Sequence, residues 1–259
     1  MSAKLRLLTV VAGIAVVVIV AALLMRHPGP HADTAAGRDQ RAAMEQVVRD
    51  TLTKHPEIIL EAMQALEKKH KEAEATESKS VLAAHRKALV DDPNSVVLGN
   101  PNGDVTVVEF FDYHCPYCKQ MEPALEALLQ QDGKVRLMLK EFPILGEDSV
   151  LASRAAIAAR RQGKYEAFHN ALMHAKGSFT PAVIADIAQE VGLDGKQLVT
   201  DMGAAFVDQT LSANHALADA LSIDGTPGFV IGDSVITGGM TIERFKQYVA
   251  EARQSCSTC

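Results

Sequence analysis

Apolar positions change their spacing several times along this chain, and each change predicts a different element. Residues 9–25, TVVAGIAVVVIVAALLM, form an uncharged run. Residues 27–37, HPGPHADTAAG, offer a core little to bury and read as a linker. From 38 to 90 apolar residues return at helical spacing. Val48, Leu52, His55, Ile59, Ala62 and Leu66 follow alternating steps of four and three, the a/d spacing of a short coiled coil with one polar position at His55. Pro56 predicts a second helix with a bend before it, since proline suits the first helical turn. Residues 67–79 are mostly charged or small. The segment 38–90 reads either as a surface helix pair packed on the main domain or as an oligomerising stalk.

Residues 91–104, DDPNSVVLGNPNGD, are rich in turn formers. Residues 105–111, VTVVEFF, then form a dense β-branched and aromatic run that predicts a central strand. Residues 118–130 read as a helix kinked at Pro123. Residues 134–142, KVRLMLKEF, predict a second strand. Strand, helix, strand, with apolar strands, suits a sheet covered on both faces.

The pattern becomes alanine-rich and helical over 148–221, with interruptions at Gly163, Gly177, Gly192 and Gly195. Helices are predicted at 148–162, 165–175, 180–191 and 195–220, the last divisible, with Thr180 as an N-cap before Pro181. Strand signals return in TPGFVIGDSVITGG, 226–239, where GDS is a hairpin turn between FVI and VIT. A closing helix follows at 240–252. The expected fold is α/β. A small core is made from 97–147 and 222–253, split by a helical insertion at 148–221, preceded by the helical segment 38–90 and followed by a tail, 254–259.

Composition narrows the function. The chain has 259 residues and a net charge of −6, with no basic stripe of the kind nucleic acid requires. Lys4 and Arg6 precede the uncharged run, so residues 1–26 read as an export segment. Arg26 follows at once, with no small-x-small cleavage site. This favours an uncleaved signal anchor over a cleaved signal peptide, with residues 27–259 facing outwards, in an oxidising space.

The four cysteines are Cys115, Cys118, Cys256 and Cys259, which form two CxxC pairs. They are too few to be a disulfide framework for a chain this long. The first pair opens a predicted helix after a buried strand. Free N–H groups and the positive end of the dipole there lower the pKa of a thiol. Cys115, nearest that end and the more exposed, is the expected nucleophile; Cys118, one turn inside, would resolve the mixed disulfide. Pro116 and Tyr117 fill the turn. A structural zinc site needs more ligands than this pair and the neighbouring His114 supply, although a composite with Cys256 and Cys259 stays open, as does a purely structural disulfide. Glu109, the lone acid in its strand, would lie beneath the helix start and exchange a proton with Cys118. Its alternative is an edge-strand charge facing solvent. Met121, Phe111 and Tyr113 would shape the surrounding groove, with Met121 helping to line it for a peptide.

EFFDYHCPYCK, with TPGFVIG more than a hundred residues later, resembles the DsbA-like branch of the thioredoxin superfamily over roughly residues 97–253. The resemblance implies a thioredoxin fold with an inserted helical domain. It implies that Cys115 and Cys118 form the active disulfide, that Glu109 is the buried acid, and that Thr226 and a cis Pro227 face the disulfide. Thr226 would pair its backbone with an extended substrate. Cys-Pro-Tyr-Cys with a threonine before the proline, and the long helical lead-in, are similar to the suppressor-of-copper-sensitivity C proteins and related outer-surface antigens.

Thiol–disulfide exchange on exported cysteine-containing proteins is therefore expected, isomerase- or reductase-like. A membrane redox partner would reset the active pair, no cofactor is needed, and copies would assemble through 38–90. The alternatives are an oxidase that donates the Cys115–Cys118 disulfide, and a copper-binding protein or chaperone. Cys256 and Cys259 read as a local disulfide, a Cu(I) site or a partner of the active pair. The resulting location is the bacterial periplasm, tethered by residues 7–25 or soluble after cleavage. His169, His174 and His215 read as packed or surface residues.

Overall fold

The computed structural model describes residues 35–255. The export segment, most of the linker, Cys256 and Cys259 lie outside the described residues. Among the described residues no helix is long and apolar enough to cross a membrane. The chain divides into two compact units between His70 and Lys71.

The first unit contains α1 (Ala35–Lys54) and the beginning of α2 (Glu57–Val90). The helices are separate because Pro56 has no N–H to donate and disfavours helical geometry at His55. His55 Nδ1 lies 2.9 Å from Glu57 Oε1 across the break. Large apolar side chains stay in solvent here: Met44, Val48, Leu52, Ile59, Met63 and Leu66 are all exposed.

The second unit is built on a five-stranded sheet. Its strands are β1 (Val96–Gly99), β2 (Val105–Phe111), β3 (Val135–Glu141), β4 (Gly228–Ile231) and β5 (Ser234–Thr237), in the order β1-β3-β2-β4-β5. β2 and β3 are parallel, joined by α3 (Pro116–Gln131), and the other pairs are antiparallel. Side chains alternate across a strand. Val105, Val107 and Phe111 therefore pack with Leu125 and Leu128 of α3 and with Phe245 and Val249 of α9 (Ile242–Ser255). Val108 and Phe110 pack on the opposite face with Leu82 and Leu89 of α2 and Leu217 of α8 (Ala205–Ala220). Burial on both faces explains why VTVVEFF, Thr106 and Glu109 apart, is apolar on both sides and does not alternate.

The insertion contains α4 (Glu147–Ala159), a 3-10 turn at Arg160–Gln162, α5 (Tyr165–His174), α6 (Pro181–Glu190), α7 (Gly195–Met202) and α8. The predicted helix 195–220 divides at Gly203, and Thr180 caps α6 by accepting from the Val183 N–H. The hairpin turn begins at Gly232, whose φ of 59° is costly for other residues. α3 begins at Pro116, two residues earlier than predicted, because Cys115 serves as its cap; the helix continues through Pro123 to Gln131. Strand β1 was not predicted. Its short VVLG sits among Asp, Pro, Asn and Gly residues and becomes a strand by pairing along β3.

Candidate active site

Two segments distant in sequence meet at the N-terminus of α3. Cys115 is the N-cap, with extended geometry (φ −71°, ψ 114°), and Pro116 pre-sets the first helical residue. This places the free N–H groups of the first turn around one sulfur. The Cys118 N–H donates to Cys115 Sγ at 3.4 Å, and the Cys115 thiol donates to the Thr226 carbonyl at 3.1 Å. The Thr226–Pro227 bond is cis, as the resemblance implied. Just after it, Gly228 allows the close approach of Ile223: a Cβ there would lie 2.5 Å from Ile223 Cγ2.

The two thiols differ sharply. Cys115 is 3% exposed and Cys118 fully buried, so the expected order of exposure holds although both are shielded. Hydrogen bonding from the Cys118 side chain is the main force holding the Cys115 thiol down at about 6; burial opposes it, and the Thr226 side chain and the Cys118 and Tyr117 backbone N–H groups assist. The Cys118 thiol is pushed far up, first by its bond to Cys115, then by burial and by the Glu109 charge. One sulfur is thus suited to act as a thiolate at neutral pH, while the other keeps its proton until a base removes it. Pro116 and Tyr117 are exposed beside the pair.

Glu109 lies on the face of β2 that carries α3, fully buried, and among the described residues neither carboxyl oxygen has a hydrogen-bond partner. Burial, with the nearby charges of Glu122 and Cys115, pushes its carboxyl well above the usual range. The edge-strand alternative fails because β2 is central: Glu109 pairs with Leu139 on one side and Phe229 on the other. Met121 is partly buried; its Sδ accepts the Met240 N–H at 3.0 Å, tying α3 to the loop before α9.

The partners of several polar residues near the pair were not anticipated from the sequence. Asp112, fully buried, accepts from the His114 N–H and Ser149 hydroxyl through one oxygen and from the Ile144 and Leu145 N–H groups through the other. It fixes the approach to Cys115 against the start of the insertion. Lys119 donates to the Leu172 and Ala175 carbonyls near the end of α5. Tyr113 and Tyr165 both donate to Glu141, at 3.0 and 2.6 Å, and the Tyr113 hydroxyl lies 3.0 Å from His169 Nδ1. Two features were legible in principle: polar residues inside otherwise apolar strands, and an Asx-type turn before the CxxC. Among the described residues no group of three or more His, Cys, Asp or Glu side chains is placed to hold a metal.

The DSBA-like thioredoxin domain matches residues 106–250. The chain belongs to the DsbA-like family of thiol–disulfide oxidoreductases. The copper resistance protein ScsC N-terminal domain matches residues 40–73. Among solved structures, a thioredoxin-like oxidoreductase from Silicibacter pomeroyi is 48% identical, covering 66% of this chain and 99% of that one, with a TM-score of 0.65. Proteus mirabilis ScsC in a transitional conformation is 32% identical, covering 83% of this chain and 97% of that one, with a TM-score of 0.63. The thiol:disulfide interchange protein DsbA of Burkholderia cepacia is 31% identical over 53% of this chain and 68% of its own length. The chain spans about a quarter of two Salinispora Na+/H+ antiporters that it also matches, 25% of each. Cys115, Cys118, Glu109, Thr226 and Pro227, the residues that the resemblance singled out, gather around one helix terminus in this structure.

Proposed function

We propose that this DsbA-like protein performs thiol–disulfide exchange on exported cysteine-containing proteins, in the isomerase or reductase direction. The Cys115 thiolate attacks a substrate disulfide, forming a mixed disulfide and releasing one substrate thiolate. Cys118 then attacks Cys115, closing the active disulfide and freeing the second substrate sulfur, or the substrate rearranges and leaves. The observation that carries the exchange reading is the contrast between the two sulfurs, with Cys115 held near 6 and Cys118 pushed far up. Thr226 presents its backbone beside Cys115, where an extended substrate can pair with it.

The exposed apolar side chains of α1 and early α2 support the isomerase direction. A second copy of this chain would cover Val48, Leu52, Ile59 and Leu66, and linked active sites raise the effective concentration around one misfolded substrate. The setting is the periplasm, with residues 7–25 as tether and a membrane partner returning the pair to its reduced form.

One observation favours the oxidase as a second reading. A thiolate stabilised at Cys115 stabilises the reduced enzyme, and so makes its disulfide more oxidising. The deciding experiment is acid quenching of intact cells followed by alkylation with a mass-shifting thiol reagent, in a Cys256→Ser/Cys259→Ser background. A mostly reduced Cys115–Cys118 pair supports isomerase or reductase work. A mostly oxidised pair replaces that reading with the oxidase.

A further inference from the structure

The turn that delivers Cys115 to the start of α3 is closed twice by one residue. The Asp112 carbonyl accepts the Cys115 N–H at 3.0 Å, and Asp112 Oδ1 accepts the His114 N–H at 2.7 Å. The same oxygen takes the Ser149 hydroxyl of α4 at 2.7 Å. Oδ2 takes the Ile144 and Leu145 N–H groups, at 2.8 and 2.9 Å. Asp112 is fully buried, so water cannot replace a lost bond.

Counting donors explains why this residue is an aspartate. Three of the four groups that bond its side chain are backbone N–H groups, and they are divided between the two oxygens. A carboxylate accepts at both. An asparagine amide does not: in either orientation its NH2 faces at least one backbone N–H. Ser149 can rotate its hydroxyl to relieve a clash; His114, Ile144 and Leu145 have no such freedom. The position is therefore committed to an acceptor that carries charge, although a negative charge three residues from Cys115 works against a thiolate there. What the carboxylate supplies is geometry. Cys115 Sγ lies 3.1 Å from the Thr226 carbonyl and 3.4 Å from the Cys118 N–H, and both distances depend on where the turn ends.

We propose that Asp112 is a positioning residue for thiol–disulfide exchange: its carboxylate locks the turn 112–115 to the start of the insertion and so holds the Cys115 sulfur against the first turn of α3. Through that placement it sets the balance between the dithiol and disulfide forms of the pair. With the turn fixed, the thiolate keeps its bond from the Cys118 N–H and the reduced form is favoured. With the turn loose, the thiolate loses that bond and the disulfide form gains. Position and charge predict opposite signs. Removing a neighbouring negative charge alone lowers the Cys115 midpoint, whereas releasing the turn raises it.

The test uses the full chain in a Cys256→Ser/Cys259→Ser background and reads two quantities. Ultraviolet thiolate absorbance against pH gives the Cys115 midpoint. Equilibration with reduced and oxidised glutathione gives the ratio of dithiol to disulfide enzyme. Asp112→Asn should move the midpoint up towards the ordinary thiol value of about 8.5. It should also shift the glutathione equilibrium about ten-fold towards the disulfide, the factor that one hydrogen bond to a charged group is worth. Asp112→Ser should recover part of both, because a hydroxyl can still accept the His114 N–H; Asp112→Ala should recover neither. A midpoint that falls assigns the effect of Asp112 to its charge. An unmoved midpoint and equilibrium with a lower melting temperature assign it to stability alone. Either result overturns the proposal, as does an Asp112→Ser variant no better than Asp112→Ala. Should the variants not fold, amide hydrogen exchange in the reduced wild-type protein decides. The His114, Ile144 and Leu145 N–H groups, held by one carboxylate, should share a common opening constant, and unrelated constants overturn the lock. The inference rests on the exchange reading, and the two fail differently. A Cys115–Cys118 pair that does not equilibrate with glutathione brings down the exchange reading. A pair that equilibrates with the same constant in the wild type and in Asp112→Asn brings down only the positioning role.

Discussion

The Cys118 N–H points at the Cys115 sulfur from 3.4 Å, so the residue assigned to resolve the mixed disulfide also stabilises the thiolate that begins the reaction. The Cys118 thiol bonds the same sulfur and is the first cause of both shifts, lowering Cys115 and raising itself. A single side-chain proton thus couples the two steps. While Cys118 is protonated, Cys115 is a good nucleophile; once Cys118 loses that proton, it becomes the attacker.

Cys118→Ala should therefore raise the Cys115 thiol above its value of about 6, because the backbone N–H remains and the largest contribution is lost. Ultraviolet thiolate absorbance against pH, in a background with Cys256 and Cys259 replaced by serine, measures the midpoint. A midpoint that does not move would mean that the helix N–H groups and Thr226 hold the thiolate unaided.

The same substitution separates the two steps. Cys115→Ala should abolish exchange, while Cys118→Ala should accumulate mixed disulfides, since the attacking thiol remains and the resolving one is gone. Acid-quenched, non-reducing gels of cell extracts would show the trapped species. An absence of trapped substrate with Cys118→Ala would falsify the assigned order of attack.

The buried Glu141 gives stability a pH dependence of defined sign. Burial raises its carboxyl to about 8, against about 4.3 in an unfolded chain. The folded state holds a proton that the unfolded state has released, so this contribution is fully present below about 4.3 and is lost as pH rises to about 8. Glu141→Gln keeps an oxygen to accept from Tyr113 and Tyr165 but cannot ionise. Melting temperature should then fall less steeply between pH 5 and 8 in the variant than in the wild type. Parallel curves would assign the slope to other groups.

How much was readable in advance depended on whether a feature was local. The CxxC, the apolar run 105–111 and the turn at Gly232 are local, and each fell where expected. Glu109 was legible because an acid is out of place in a central strand. Strand β1 was not, since its four residues owe their extended form to Leu137, Met138 and Leu139 across the ladder. The cluster of Tyr113, Glu141, Tyr165 and His169 was also hidden: it joins a loop, a strand and a helix of the insertion, and none of the four marks its partners by spacing. Asp112 gave only its Asx turn, while its bonds to Ile144, Leu145 and Ser149 depend on how the insertion departs from β3.

The exposed stripe of the first unit yields a test of assembly that leaves the chemistry untouched. Ile59 is 49% exposed and Leu66 59%, at a/d positions that alternate with charged residues such as Glu61 and Glu67. If copies of the chain bury these side chains against one another, a carboxylate at Ile59 places an unpaired charge in an apolar contact, a change costly enough to separate the copies. Ile59→Glu should then lower the mass measured by light scattering to that of one chain. Single-turnover reaction of Cys115 should stay unchanged, and refolding of a scrambled multi-disulfide substrate should slow, because only the latter uses neighbouring sites. A wild-type protein that already scatters as one chain would remove the assembly argument and, with it, the main support for the isomerase direction over the oxidase.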